Sequence, residues 1–129
     1  EVLEYDIETF VYARRKPFDL EKFTDFVEQD WPDAVIRAKG PLWQNANPDM
    51  CYIFEQAGHQ MRLMENGLFV DSAPEDEKQQ IIADNPELRD YWDDEVGDRE
   101  TRLCIIGRHM DKDAVIAGLD ACLTDWHRA

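Results

Sequence analysis

The sequence predicts an α+β fold: a mostly antiparallel sheet of about four to five strands with helices packed on it, in the order β-α-β-β-β-helical insertion-β-α. Three observations lead there. Short segments rich in β-branched and aromatic residues recur along the chain, and the tight turn Gly58-His59 joins two of them as a hairpin. Two stripes of apolar residues at helical spacing each follow an aspartate suited to capping. Between the fourth strand and the last lies a proline-interrupted acidic stretch that breaks the strand pattern.

The first strand is Ile7–Ala13, alternating Ile7, Thr9 and Val11 against Glu8, Phe10 and Tyr12. Arg14-Arg15-Lys16-Pro17 ends it, because proline offers no ladder donor. This basic triplet reads as a solvated strand end or a docking patch. Asp19 then caps a helix whose stripe is Leu20, Phe23, Phe26 and Val27. That helix stops before Trp31-Pro32, since a residue preceding proline avoids the helical region.

Ala34–Trp43 is the second strand. Side-chain parity groups Val35, Arg37 and Lys39 on one side, facing solvent or a partner, and Ala34, Ile36 and Ala38 on the other. Gly40 predicts a bulge or a close backbone approach, and Pro41 a bent or edge position. The turn Asn45–Asp49 leads into a third strand, Met50–Gln56, and the hairpin into a fourth, Gln60–Met64. Asn66-Gly67 predicts another turn, followed by a short strand Leu68–Val70.

From Asp71 to Glu100 twelve acids stand against Lys78, Arg89 and Arg99. Ser72 and Glu75 have capping-box spacing, which predicts a helix with Ile81 and Ile82 facing the core. Asn85-Pro86 breaks it before a second short helix carrying Leu88, Tyr91 and Trp92. Thr101–Arg108 is the most apolar strand, and its run Leu103–Ile106 predicts a central strand covered on both faces. Asp111 caps a final helix with a stripe of Val115, Leu119, Cys122 and Leu123, and the tail Thr124–Ala129 is expected to fray.

The 129 residues favour one domain over positions 1–129. With 14 basic and 29 acidic residues the net charge is −15, which repels phosphate backbones and anionic membranes, so no nucleic-acid or membrane partner is expected. Cys51, Cys104 and Cys122 are odd in number and contain no CxxC, which fits a reducing cytoplasmic setting. The chain opens Glu1-Val2-Leu3 without a methionine, so a cut or processed start, or the back half of something longer, is expected.

No phosphate loop, GxGxxG or HExxH is present, and no set of nucleophile, base and orienting group emerges; catalytic and cofactor-binding residues are therefore assigned to none. Cys51, His59 and Cys104 are candidate ligands for a soft metal if the sheet brings them together, or small core residues if it does not. Asp93, Asp94, Glu95 and Asp98 lack the alternating spacing of a calcium loop and read as a solvated segment, with Asp98-Arg99 as a structural ion pair. Trp43 and Trp92 are either core aromatics or exposed anchors. Arg37, Lys39 and Arg62 would form a basic spot on one sheet face, open to a carboxylate or phosphate of another domain or neutralised by the chain's own acids.

Several segments in order resemble the C-terminal domain of the CobW-type P-loop GTPases, a family of metallochaperones and cobalamin-synthesis proteins. TFVYARRKPFDLEKF at Thr9–Phe23 is similar to the family's opening. RAKG at Arg37–Gly40 followed by Trp43, and Ala57–Leu63 around Gly58, Gln60 and Arg62, resemble its next two signatures. Gly97-Asp98-Arg99 leading through Leu103–Gly107 to Asp111, and the helix around Leu119–Leu123, resemble its ending. The resemblance implies a parent chain with a P-loop GTPase domain upstream. That domain would carry GTP, magnesium, a CxCC motif and a transition metal, zinc or cobalt. It implies for this domain a non-catalytic accessory role: packing on the GTPase domain and recognising a metalloprotein client or forming a homo-oligomer. Arg37, Lys39, Trp43 and Arg62 are then the expected contacts. The alternative is a self-contained transition-metal binding or sensing module built on Cys51, His59 and Cys104. Many family members carry histidine-rich tracts, which this sequence lacks.

Overall fold

The computed structural model describes residues 6–128. Five strands form one sheet: β1 (Ile7–Arg14), β2 (Val35–Leu42), β3 (Met50–Ala57), β4 (Gln60–Leu68) and β5 (Thr101–Arg108). Their spatial order is β1-β5-β2-β3-β4, and every neighbouring pair is antiparallel. Helices α1 (Leu20–Asp25) and α4 (Lys112–Asp120) cover one face; α2 (Glu75–Asp84) and α3 (Leu88–Tyr91) lie in the acidic insertion. This is the α+β sheet-and-helix layer that the strand and stripe pattern predicts.

The two covering helices start where the sequence places them. Asp19 accepts a hydrogen bond from the Lys22 amide at 3.0 Å, and Asp111 accepts one from the Ala114 amide at 3.1 Å. Past Asp25, α1 widens into a π-helical turn, Phe26–Asp30, and ends before Trp31-Pro32. Phe18 and Phe23 from the α1 side, Val115, Leu119 and Cys122 from the α4 side, and Tyr12, Ala38, Leu42, Phe54, Leu103 and Ile105 from the sheet close one apolar core. Phe18 stacks on Phe23 with ring centroids 4.7 Å apart, and Phe23 meets Phe54 edge-on at 5.2 Å. Burial of each such side chain contributes about 1.5–3 kcal/mol, which is why a core of this size closes without a disulfide.

Several expectations need correction. β5 is buried on one face only: Thr101, Leu103, Ile105 and Gly107 point into the core, while Arg102, Cys104 and Arg108 are exposed. Its apolar run reflects a strand flanked on both edges rather than covered on both faces. In β2 the pairing with β5 slips between Val35 and Arg37, so Val35 joins the core and Arg37 and Lys39 face outward. Strict parity fails there because a bulge adds a residue to one strand.

Asn66-Gly67 makes no turn. β4 continues to Leu68 with a register shift opposite Met50–Tyr52, and Gly67 sits at φ 92°. The short strand expected at Leu68–Val70 is replaced by a 3-10 turn, Val70–Ser72. The capping box does not form, because the Ser72 hydroxyl donates to the Phe69 carbonyl at 2.7 Å within that turn. Ile81 and Ile82 are half-buried, and α2 contributes no buried residue. The tail does not fray over its described length: the Thr124 amide donates to the Pro17 carbonyl at 2.9 Å, and Trp126 packs edge-on against Trp43 at 5.3 Å.

Gly40 is the close approach that the sequence anticipates. A β-carbon there would lie 2.0 Å from the Arg102 carbonyl oxygen of the neighbouring strand, and φ is 153°. Gly40→Ala is expected to destabilise the fold by about 1–3 kcal/mol through overpacking, read as a lowered thermal midpoint by circular dichroism. An unchanged midpoint would contradict the close approach.

Candidate functional site

Because both covering helices lie on one side, the other face of the sheet is open. Antiparallel pairing fixes which side chains share it, since directly opposed residues point the same way. Val11 lies opposite Cys104, Cys104 opposite Lys39, Lys39 opposite Glu55, and Glu55 opposite Arg62. The next row runs Thr9, Ile106, Arg37, Ala57 and Gln60. Register therefore brings Arg37 and Lys39, which sequence parity groups together, onto one face with Arg62 of β4, although the bulge displaces Val35 from it.

Arg102 and Arg108 project from β5 on the same side, since they share the parity of Cys104. The face thus carries five cations, Arg37, Lys39, Arg62, Arg102 and Arg108, of the chain's 14. Glu55 is the single carboxylate among the strand residues of its two central rows. It pairs with Lys39 at 3.4 Å and with Arg62 at 3.2 Å. Partial desolvation pushes the Glu55 carboxyl up, but the hydrogen bond and charge of Lys39 and the charge of Arg62 outweigh it and hold it below its ordinary value. Arg102 pairs with Glu100 at 3.2 Å. Among the described residues Arg37 and Arg108 have no ion-pair partner, so two cations of this face remain available to an incoming carboxylate. Sequence reasoning missed Arg102 and Arg108. The signal was present in β5 as arginines two positions before Cys104 and two after Ile106, on the alternation that leaves Cys104 exposed, masked by reading the strand as doubly covered.

Trp43, expected among the contacts, is instead fully buried at 0% exposure. It anchors a second core with Phe69 and Val96, against which Cys51 and Trp126 pack. Its indole donates to the Pro48 carbonyl at 3.0 Å, which explains why an aromatic here is inside. The proposed metal ligands do not come together. His59 lies by the β3–β4 hairpin, in a groove of about 920 Å³ with Trp31, Val35 and Met61. Cys51 borders a different groove with Asn66, Tyr91 and Asp98, and burial pushes its thiol up. Cys104 is exposed in the middle of the open face, its sulfur 3.7 Å from the Thr9 hydroxyl. No group of three or more His, Cys, Asp or Glu in metal-binding proximity occurs among the described residues.

The acidic insertion is tied down rather than poised for a cation. Asp93 accepts from the Glu95 and Val96 amides at 2.7 and 3.0 Å, closing its own turn. Asp98 accepts from the Val70 and Asp71 amides at 2.8 and 2.9 Å and so is not the partner of Arg99. That partner is Asp71. Arg99, 3% exposed, hydrogen-bonds Asp71, reaches Asp49 at 2.7 Å and donates to the Pro48 carbonyl at 3.1 Å. Its guanidinium also lies 4.6 Å from the Trp126 ring centroid. Asp71 further receives Arg128 at 2.8 Å and Lys78 at 3.3 Å. The basic triplet is likewise spent internally: Arg14 pairs with Asp120, Arg15 with Glu100 and Lys16 with Asp125.

Asp71→Ala leaves the buried Arg99 with only the exposed Asp49 as carboxylate, and is expected to cost about 3 kcal/mol in urea unfolding, as broken buried pairs do. The pH sign follows from the carboxyl itself. Burial pushes Asp71 up, but the hydrogen bond of Arg128 and the charges of Arg99 and Arg128 outweigh it and hold its carboxyl below the ordinary value. The stabilisation is therefore complete above the unfolded value and is lost as pH falls through the folded one. The urea midpoint of the wild type should drop on acidification below about pH 4, and that of Asp71→Ala should drop less.

Comparison with known proteins agrees with this architecture. Residues 7–123 match the family described as "Cobalamin synthesis protein cobW C-terminal domain". A relative from Dictyostelium discoideum, zinc-regulated GTPase metalloprotein activator 1, is 28% identical over 126 residues, covering 95% of this chain and 26% of its own. Among solved structures, the Zn(II)-bound YjiA GTPase from E. coli matches with a TM-score of 0.62 at 15% identity, over 92% of this chain and 30% of that one. A Zn(II)-bound triple mutant of YjiA matches with a TM-score of 0.61 at 16% identity and the same coverage. At that identity the structures speak for the fold alone. The chain spans about a quarter of the length of its curated relative. It belongs to the family of CobW C-terminal domains.

Proposed function

We propose that this domain is a non-catalytic accessory domain of a GTP-dependent metallochaperone chain of the CobW type. On this reading it packs on a P-loop GTPase domain that precedes it in the parent, and serves recognition of a metalloprotein client or assembly into an oligomer. GTP, magnesium and a transition metal, zinc or cobalt, belong to the parent rather than to this domain, and the setting is cytoplasmic. The observation that carries the reading is the combination of a nearly full-length match to a C-terminal domain with coverage of only 26% of a relative named as a zinc-regulated GTPase.

The arrangement of side chains supports the same reading. The sheet spends its helices on one face and leaves Arg37, Lys39 and Arg62 together on the other. Charged groups held on a rigid sheet are suited to orient a neighbouring surface. The rival reading as a self-contained metal module loses its support with the separation of Cys51, His59 and Cys104 into different parts of the fold.

Calorimetric titration of magnesium-GTP into the 129-residue chain is expected to give no saturable binding heat. Stoichiometric binding there would overturn the proposal. Zinc titration of the reduced chain is expected to reveal no site that disappears on combined substitution of Cys51, His59 and Cys104; such a site would restore the metal-module reading.

A further inference from the structure

The open face has a composition that a solvated sheet does not need. Two apolar patches lie on it: Val11, 55% exposed, with the exposed Cys104 and Ile106 on β1 and β5, and Ile53 with Met64 on β3 and β4, the two separated by Arg37 and Lys39 of β2. Arg37, Arg102 and Arg108 stand beside the Cys104 patch and Arg62 near the other, with Lys39 held by Glu55 between them. The rest of the molecule is strongly acidic, since the whole chain carries 29 acids and 14 bases. Cations interleaved with apolar side chains, set in an acidic protein, are complementary to a protein surface that mixes carboxylates with apolar groups.

Other occupants fit less well. A second copy placed face to face would oppose cations to cations, and among the described residues Arg37 and Arg108 have no ion-pair partner to offset that repulsion. Single-stranded nucleic acid would need stacking platforms, and the two central rows of this face hold no aromatic side chain. A tethered domain, in contrast, needs only a mixed, moderately polar contact, because the linker keeps its effective concentration high. In its relative about three quarters of the length lies outside the region that this chain matches, so a body of that kind is at hand there.

We infer that the open face of the sheet, centred on Cys104 and steered by Arg37 and Arg108, is the seat of an acidic patch on the companion domain of the same parent chain. The inference rests on the accessory-domain reading above and names the surface through which it acts. Cys104 lies at the middle of the contact, so the contact buries a thiol that the domain leaves exposed. Arg37 and Arg108 form charge-assisted hydrogen bonds to carboxylates of the companion domain.

The test uses the full parent chain and reads alkylation of Cys104 by iodoacetamide, resolved from Cys51 and Cys122 by peptide mass spectrometry. In the wild type, Cys104 should react at least about tenfold more slowly than in the parent chain carrying Arg37→Glu and Arg108→Glu, as a surface closed nine-tenths of the time or more requires. High salt should shift the wild type toward the variant. Because neither arginine has an ion-pair partner among the described residues, the double variant should keep its circular dichroism melt, which separates lost docking from lost folding. Equal, fast alkylation in both chains would overturn the inference. So would slow alkylation that survives the charge reversal, protection that grows with protein concentration and marks a second copy, or protection removed by nuclease. A parent chain that binds no GTP would instead overturn the accessory-domain reading, whatever Cys104 does.

Discussion

The ion pair between Arg99 and Asp71 holds together parts of the chain that have no other reason to meet. Arg99 immediately precedes the entry into β5, and Asp71 sits in the 3-10 turn that opens the acidic insertion. Between them the insertion makes its excursion and returns. Burial of two charges is unfavourable unless their remaining hydrogen-bonding capacity is met. Here it is met: Arg99 also serves Asp49 and the Pro48 carbonyl, and Asp71 also receives Arg128 and Lys78. Gly97 belongs to the same device. At φ 67° its missing side chain leaves room for Asp71, which a β-carbon would approach to 2.5 Å. The insertion, the β2–β3 loop and the C-terminal tail are thus fastened at one point, with Trp126 laid over the guanidinium. This leaves the sheet free to hold a fixed, open face.

Much of the fold was legible because local chemistry and tertiary structure agree. Asp19 and Asp111 cap as their positions suggest, the Gly58-His59 hairpin sets the β3–β4 register, and Gly40 marks the close approach to β5. The departures share a cause: each depends on a distant partner. Parity placed Val35 with Arg37 because nothing local signals a bulge against Gly107 and Ile106. Asn66-Gly67 has turn chemistry, yet pairing with β3 draws it into β4. Ser72 spends its hydroxyl on Phe69 because the 3-10 turn offers a nearer acceptor than the helix beyond.

The site was legible in its cations and illegible in its extent. Arg37, Lys39 and Arg62 stood out as cations in an acidic chain, and strand register brings them together. Arg102 and Arg108 do not stand out in sequence because the apolar run Leu103–Ile106 reads as a strand covered on both faces, whereas β5 is buried on one. Of the two readings of Trp43, core aromatic or exposed anchor, the structure bears out the core one. An aromatic beside a signature invites a surface role, and only the long-range packing with Phe69 and Trp126 reveals it as core. Conversely, Arg14, Arg15 and Lys16 look like a basic patch in sequence and are each consumed by an acid from later in the chain.

The strand order has a kinetic side. β2, β3 and β4 form a meander of neighbours, but β5 must insert between β1 and β2, pairing Thr9 with Ile106 and Ala38 with Ile105. Contacts so far apart in sequence carry a loop-closure penalty before they return any stabilisation, so pairing of this kind slows folding. The meander and α1 can assemble early, while the edge of β2 stays unpaired until the insertion has been traversed. During that interval the apolar edge is open to other chains, and the dense negative charge of the insertion supplies the repulsion that keeps unfinished copies apart.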